Sequence, residues 1–225
     1  MEICRLENVS KSYFTGEKLT PLRNVDLVVN AGDLVSVEGS SGIGKSTLLY
    51  VMGSLLKADQ GRLYLNKKDV SLMTDQQLTN LRAEKIGFIF QETNLIQALT
   101  LQENLEFTRS LVKKSKDNLG EILYLLSRLG LSSHKDLLPY QLSGGQRRRA
   151  MVARALINRP ALILADEPTN DLNEFWAREI VQLFLEANQQ GSAVVIVTHN
   201  NQWTKEASFQ YRLEGGKLAA VKPQQ

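Results

Sequence analysis

The chain has 225 residues, enough for one domain of ordinary size, and its 43% hydrophobic and 23% charged residues are those of a globular protein, which excludes disordered and fibrous classes. A formal net charge of +3, from 27 basic and 24 acidic residues, is too mild to call for a nucleic-acid partner, for which a concentrated basic stripe is needed. The longest apolar runs, 161–165 and 193–197, fall far below the roughly 18 residues of a membrane span.

The opening segment has no basic leader followed by an apolar stretch, so no secretory signal is expected. The single cysteine, Cys4, reads as a buried thiol in a strand and fits a reducing cytoplasm. Residues 3–9, 22–29 and 34–38 read as strands, with a loop at 13–20 around Gly16. The stretch 39–44 breaks the pattern, and 45–52 then reads as a helix. A strand follows at 61–65, ending in a polar turn at 66–69. Thr74 with Gln77 three residues on gives a capping box for a helix over 74–85. Residues 86–90 form a strand; from 92 to 139 strand signals vanish, and 101–112 and 117–129 read as helices. A further helix over 145–158 is stopped by Pro160. Strands return at 162–164 and 194–197 around a helix over 173–188, and 210–218 reads as a hairpin turning at Glu214-Gly215-Gly216. The alternation predicts an α/β fold with a mainly parallel core sheet, interrupted by an all-helical insert. In such sheets ligands bind beyond the carboxyl ends of the strands.

Two motifs sit at such strand ends. Gly39-Ser40-Ser41-Gly42-Ile43-Gly44-Lys45-Ser46, followed by Thr47, matches G-x-x-x-x-G-K-[ST] between a strand and a helix. The glycines let successive N–H groups point inward, which with the helix N-terminus makes a phosphate cradle. Lys45 adds a charge near the β- and γ-phosphates, and the Ser46 hydroxyl is placed to ligate Mg²⁺. The apolar strand Leu162-Ile163-Leu164-Ala165 ends in Asp166-Glu167. Asp166 takes the place of a Walker-B aspartate that holds Mg²⁺, and Glu167 that of a general base for water.

Leu142-Ser143-Gly144-Gly145-Gln146 resembles the signature sequence of the ATP-binding-cassette (ABC) ATPases. The resemblance covers residues 2–219 and implies a P-loop NTPase cassette: an N-terminal antiparallel β part, a mainly parallel core sheet and an α-helical subdomain. It implies a single nucleotide-binding domain over 1–225, with 1–91 and 151–225 as the RecA-like and β core and 92–150 as the helical insert. It implies ATP and Mg²⁺ as ligands, with Ser143, Gly144, Gly145 and Gln146 facing the nucleotide held by a second copy of the chain. By the same resemblance Tyr13 stacks on adenine, Gln91 contacts Mg²⁺ and water, and His199 contacts the γ-phosphate. One departure stands at Asn173, where the family carries aspartate; Asn173 serves equally as the N-cap of the next helix.

Between Gln91 and Leu142 there is no heptad run, which argues against the DNA-repair and chromosome ATPases of the superfamily, and one phosphate loop argues against the two-cassette translation factors. Within the resemblance a transporter ATPase remains, which implies a place on the cytoplasmic face of the membrane through a separate transmembrane permease, with no nucleic-acid partner expected. The stretches 20–25, 81–91 and 94–104 resemble the lipoprotein-release, macrolide-export and cell-division branch. That implies export or mechanotransmission of lipoprotein, peptide or antibiotic; a small-solute importer and a cell-division signalling ATPase are the alternatives. Leu95, Ile96 and Leu99 are candidate anchors for the membrane partner or, equally, parts of the insert's core. Arg147, Arg148 and Arg149 point about 100° apart on a helix and read as solvated charges, and His134 as a surface residue.

Overall fold

The computed structural model describes residues 1–112, 119–198 and 201–221. In chain order its strands are β1 (Glu2–Thr15), β2 (Glu17–Asn30), β3 (Leu34–Glu38), β4 (Gln60–Leu65), β5 (Lys68–Asp69), β6 (Ile86–Ile89), β7 (Leu162–Asp166), β8 (Ala193–Val197), β9 (Phe209–Glu214) and β10 (Lys217–Ala220). The helices are α1 (Lys45–Met52), α2 (Asp75–Lys85), α3 (Leu101–Ser110), α4 (Leu119–Arg128), α5 (Gly144–Leu156), α6 (Glu174–Gln189) and α7 (Asn201–Glu206).

The strands make two sheets, an antiparallel one ordered β2-β1-β4-β5 and a larger one ordered β10-β9-β3-β8-β7-β6. In the larger sheet β9, β3, β8, β7 and β6 run parallel, and β10 closes the edge antiparallel to β9. The reason is visible in β7 and β8, whose residues are all buried. Leu162 and Leu164 face one apolar cluster with Val35, Val195 and the antiparallel sheet. Ile163 and Ala165 face the other, with Val194, Ile196 and the helices α3 to α6. A strand covered on both faces needs an unbroken apolar run, and helical crossovers make such strands parallel. The carboxyl ends of β3 and β7 thereby lie on the same edge, which is what brings the phosphate loop and the Asp166-Glu167 pair together. Cys4 is buried in this core, and burial, with a smaller push from Glu2, raises its thiol pKa to about 12.

One expectation needs correction here, and one open alternative is decided. The loop expected at 13–20 is the end of the β1–β2 hairpin: Tyr13 pairs with Leu19 and Phe14 with Lys18, around Gly16 at φ 92°. Phe14 and Leu19 are 80% and 55% exposed, so this ladder has no buried face to print an apolar alternation. Of the three residues left between partner anchor and insert core, Leu95 belongs to the core, buried with α3, α4 and α5; Ile96 is exposed and Leu99 half-buried. The segment is wired from inside by the buried Asn104, whose amide donates to the carbonyls of Ile96, Leu99 and Thr100 and whose oxygen accepts from the Ile96 N–H. Arg154 adds bonds to the carbonyl and side chain of Asn94.

Candidate active site

The phosphate loop joins β3 to α1. Gly44, immediately before the helix, has φ 115°, and a Cβ there would lie 2.5 Å from the Pro21 Cβ, so only glycine fits. Gly42, at φ 73°, takes a left-handed turn that favours glycine, with open space where its Cβ would be. The Lys45 ammonium donates to the carbonyls of Gly39 and Ser40, at 2.7 and 2.9 Å. Burial lowers its pKa, opposed by the Glu167 and Asp166 carboxylates.

At the end of β7, Asp166 is 2% exposed and hydrogen-bonds the Ser46 hydroxyl. Burial raises its pKa, against that bond and the charges of Lys45 and Arg148. Its Oδ2 is buried without a hydrogen-bond partner among the described residues. An orphaned carboxylate oxygen beside a serine hydroxyl suits a hard cation, and Mg²⁺ beside phosphates needs only one or two carboxylates. Among the described residues no group of three or more His, Cys, Asp and Glu side chains makes an all-protein metal cage.

Glu167 turns the chain at φ 47°, its N–H bonded to the Val197 carbonyl at 2.9 Å. Its carboxylate accepts from the Thr198 hydroxyl at 2.9 Å in a buried setting. A left-handed glutamate is strained, and such strain gathers where a side chain must be aimed. Lys45, Ser46, Thr47, Gln91, Asp166 and Glu167 line one cleft of about 400 Å³ together with Ser41, Gly42, Gly44 and Asn170. Gly39, Ser40 and Ile43 line a second, of about 570 Å³, with Thr198. A third cleft of about 450 Å³, between α4 and α6, holds none of these groups.

Tyr13 and the signature residues line neither of the first two clefts. Tyr13 is half-buried on β1, with the Lys11 ammonium 5.8 Å from its ring centroid. Ser143 caps α5, its hydroxyl accepting from the Gln146 N–H while the Gln146 side chain accepts from the Ser143 N–H. Gly144 is exposed with nothing near its would-be Cβ, so this helix start faces outward. His199 lies outside the described residues.

Four neighbours of the site were not expected. Thr198 fastens Glu167, and its place in Val197-Thr198-His199 was the available signal. His134, expected at the surface, is half-buried, with Nε2 2.9 Å from the Gln146 amide nitrogen. Arg148 and Arg149, expected to be solvated, are each 8% exposed. They share helix faces with buried Val152 and Ala155 and with Ala153 and Leu156, and that i, i+4, i+7 pattern was the signal for burial. Arg149 donates to the Leu129 carbonyl and stacks 3.9 Å over the Trp176 ring. Asn173 is the N-cap of α6, accepting from the Trp176 N–H at 3.0 Å, as expected.

Comparison with known proteins agrees with this geometry. The family model described as "ABC transporter" matches residues 22–170. The lipoprotein-releasing system ATP-binding protein LolD of Aquifex aeolicus is 38% identical over 96% of each chain. The macrolide export ATP-binding/permease protein MacB 2 of Yersinia pestis bv. Antiqua is 37% identical over 98% of this chain, which spans only 33% of that relative. The dimeric post-hydrolysis structure of the ATP-binding cassette MJ0796, bound to ADP and Pi, superposes with a TM-score of 0.93 at 35% identity, covering 99% of this chain and 100% of that one. With the family model matching well over half of its length, the chain belongs to the ABC transporter family.

Proposed function

We propose that the chain is an ATP-hydrolysing subunit that works as a pair of copies on a separate transmembrane partner, at the cytoplasmic face of a membrane. The chain is one nucleotide-binding domain, with 92–150 as its helical insert. The observation that carries the hydrolytic reading is the shared cleft of Lys45, Ser46, Asp166 and Glu167, with an oxygen on Asp166 that has no partner among the described residues. The outward-facing signature at Ser143 to Gln146 carries the reading as a pair, because it lines neither cleft at the phosphate loop of its own chain.

The inward N–H groups of 39–47 and the Lys45 ammonium bind the phosphates of ATP and draw charge toward the γ-phosphate. Tyr13 takes the adenine by stacking. Ser46, Asp166 and Gln91 would hold Mg²⁺, which when bound neutralises phosphate charge. Glu167, aimed by its left-handed backbone and the Thr198 hydroxyl, takes the proton of the attacking water. Lys45 and His199 stabilise the charge that develops on the leaving γ-phosphoryl group. The helix start at Ser143-Gly144-Gly145 supplies N–H donors to the γ-phosphate held by the other copy. Closing the pair on ATP moves the membrane partner, and hydrolysis reopens it. The named functions of the LolD and MacB relatives make release or export of lipoprotein, peptide or antibiotic the proposed output.

The test is Glu167→Gln. It keeps the fold and ATP binding, lowers turnover by about 100-fold or more, as loss of a general base does, and accumulates as an ATP-bound dimer in size-exclusion chromatography. Wild-type turnover in this variant would remove Glu167 from the base role.

A further inference from the structure

Arg148 is a buried arginine whose two guanidinium nitrogens reach a different part of the chain. Nη1 donates to the Phe90 carbonyl and Nη2 to the Gln91 carbonyl, each at 2.7 Å. A planar fork on two successive carbonyls fixes the distance of that backbone and also its rotation, which a single bond would leave free. Gln91 is exposed and lines the cleft with Lys45, Asp166 and Glu167. At its other end Arg148 belongs to α5, four residues into the helix that begins at the signature. Asp171, Asp166 and Glu167 are its electrostatic neighbours, and they offset the cost of burying the guanidinium.

We propose that Arg148 is a positioning residue for hydrolysis, tying the backbone of Gln91 to the signature helix so that the Gln91 side chain is held at the cleft. The proposal rests on the roles given above to Gln91 and the signature. It makes two segments, 57 residues apart in sequence, move as one. A swing of α5 on closure of the pair therefore carries Gln91 with it. Arg148 itself lines neither cleft at the phosphate loop.

The test is a double-mutant cycle with Gln91→Ala, reading the ATP dissociation constant, KM and kcat separately. Arg148→Gln is expected to lower kcat by about 10-fold while changing ATP affinity by less than about 3-fold, because the phosphate loop is held by other contacts. In the Gln91→Ala background the same substitution is expected to lower kcat by less than about 2-fold, because nothing is left to position. Arg148→Lys, which can serve one carbonyl at a time, is expected to fall between. If thermal melts show Arg148→Gln unfolded, Arg148→Lys carries the cycle. An equal loss of kcat with and without Gln91 would overturn the proposal and leave the reading of Gln91 standing. Unchanged kcat for Gln91→Ala alone would overturn that reading, and the proposal with it.

Discussion

The site is assembled around two neighbouring carboxylates with different environments. Asp166 is buried, raised in pKa by that burial, and left with one oxygen unpaired among the described residues, whereas Glu167 is held by the Thr198 hydroxyl. A folded-state pKa above the ordinary 3.8 means that the folded chain holds the Asp166 proton more tightly than the unfolded one. The ionised carboxylate therefore opposes folding at neutral pH, and this penalty is absent below the ordinary value, where both states are protonated. Asp166→Asn is accordingly expected to raise the melting temperature of the ligand-free protein at pH 7, with the gain shrinking as pH falls from the raised folded value toward 3.8 and gone below it. A lower melting temperature at pH 7 would mean that its bonds to Ser46 and the nearby cations outweigh burial. At this scale the phosphate loop and the Asp166-Glu167 pair were legible because each is contiguous in sequence. Arg148 and Thr198 were not, because what they hold is 57 and 31 residues away.

Element by element, the chain is read most easily where a strand or helix has a buried face. β7 and β8 announce themselves as apolar runs, and Thr74, Thr100 and Ser143 each start a helix with a reciprocal capping box. The tip of the β1–β2 hairpin does not, since it is held by backbone pairing with its apolar side chains exposed. The segment after Gln91 is likewise shaped by one buried amide, Asn104, that no periodicity reveals. Asn173 tests the capping argument. Asn173→Ala is expected to cost about 1 kcal/mol of stability, the usual worth of an N-cap, in a urea titration. Asn173→Asp keeps the acceptor, so stability should hold and turnover stay equal or rise. A severe loss of turnover in Asn173→Asp would show an interface adapted to asparagine.

On the scale of the whole molecule, the two sheets and the helices around α5 place the phosphate loop and the carboxylates in one cleft and leave the signature facing outward. This division was legible as a resemblance only, because no local pattern in one chain describes a surface completed by another. The measurement that tests it most directly is complementation of two defective variants, both in the Glu167→Gln background, mixed with MgATP and followed by sedimentation. Lys45→Ala disables the phosphate loop and spares the signature. Gly144→Asp disables the signature and spares the phosphate loop, and the monomer should tolerate it, since a Cβ at Gly144 meets nothing and an acidic side chain suits a helix N-terminus. Each variant alone should remain a monomer. The mixture should form an ATP-dependent dimer with one intact site, built from the phosphate loop of one chain and the signature of the other. A mixture that stays monomeric while Glu167→Gln alone dimerises would contradict the two-chain site.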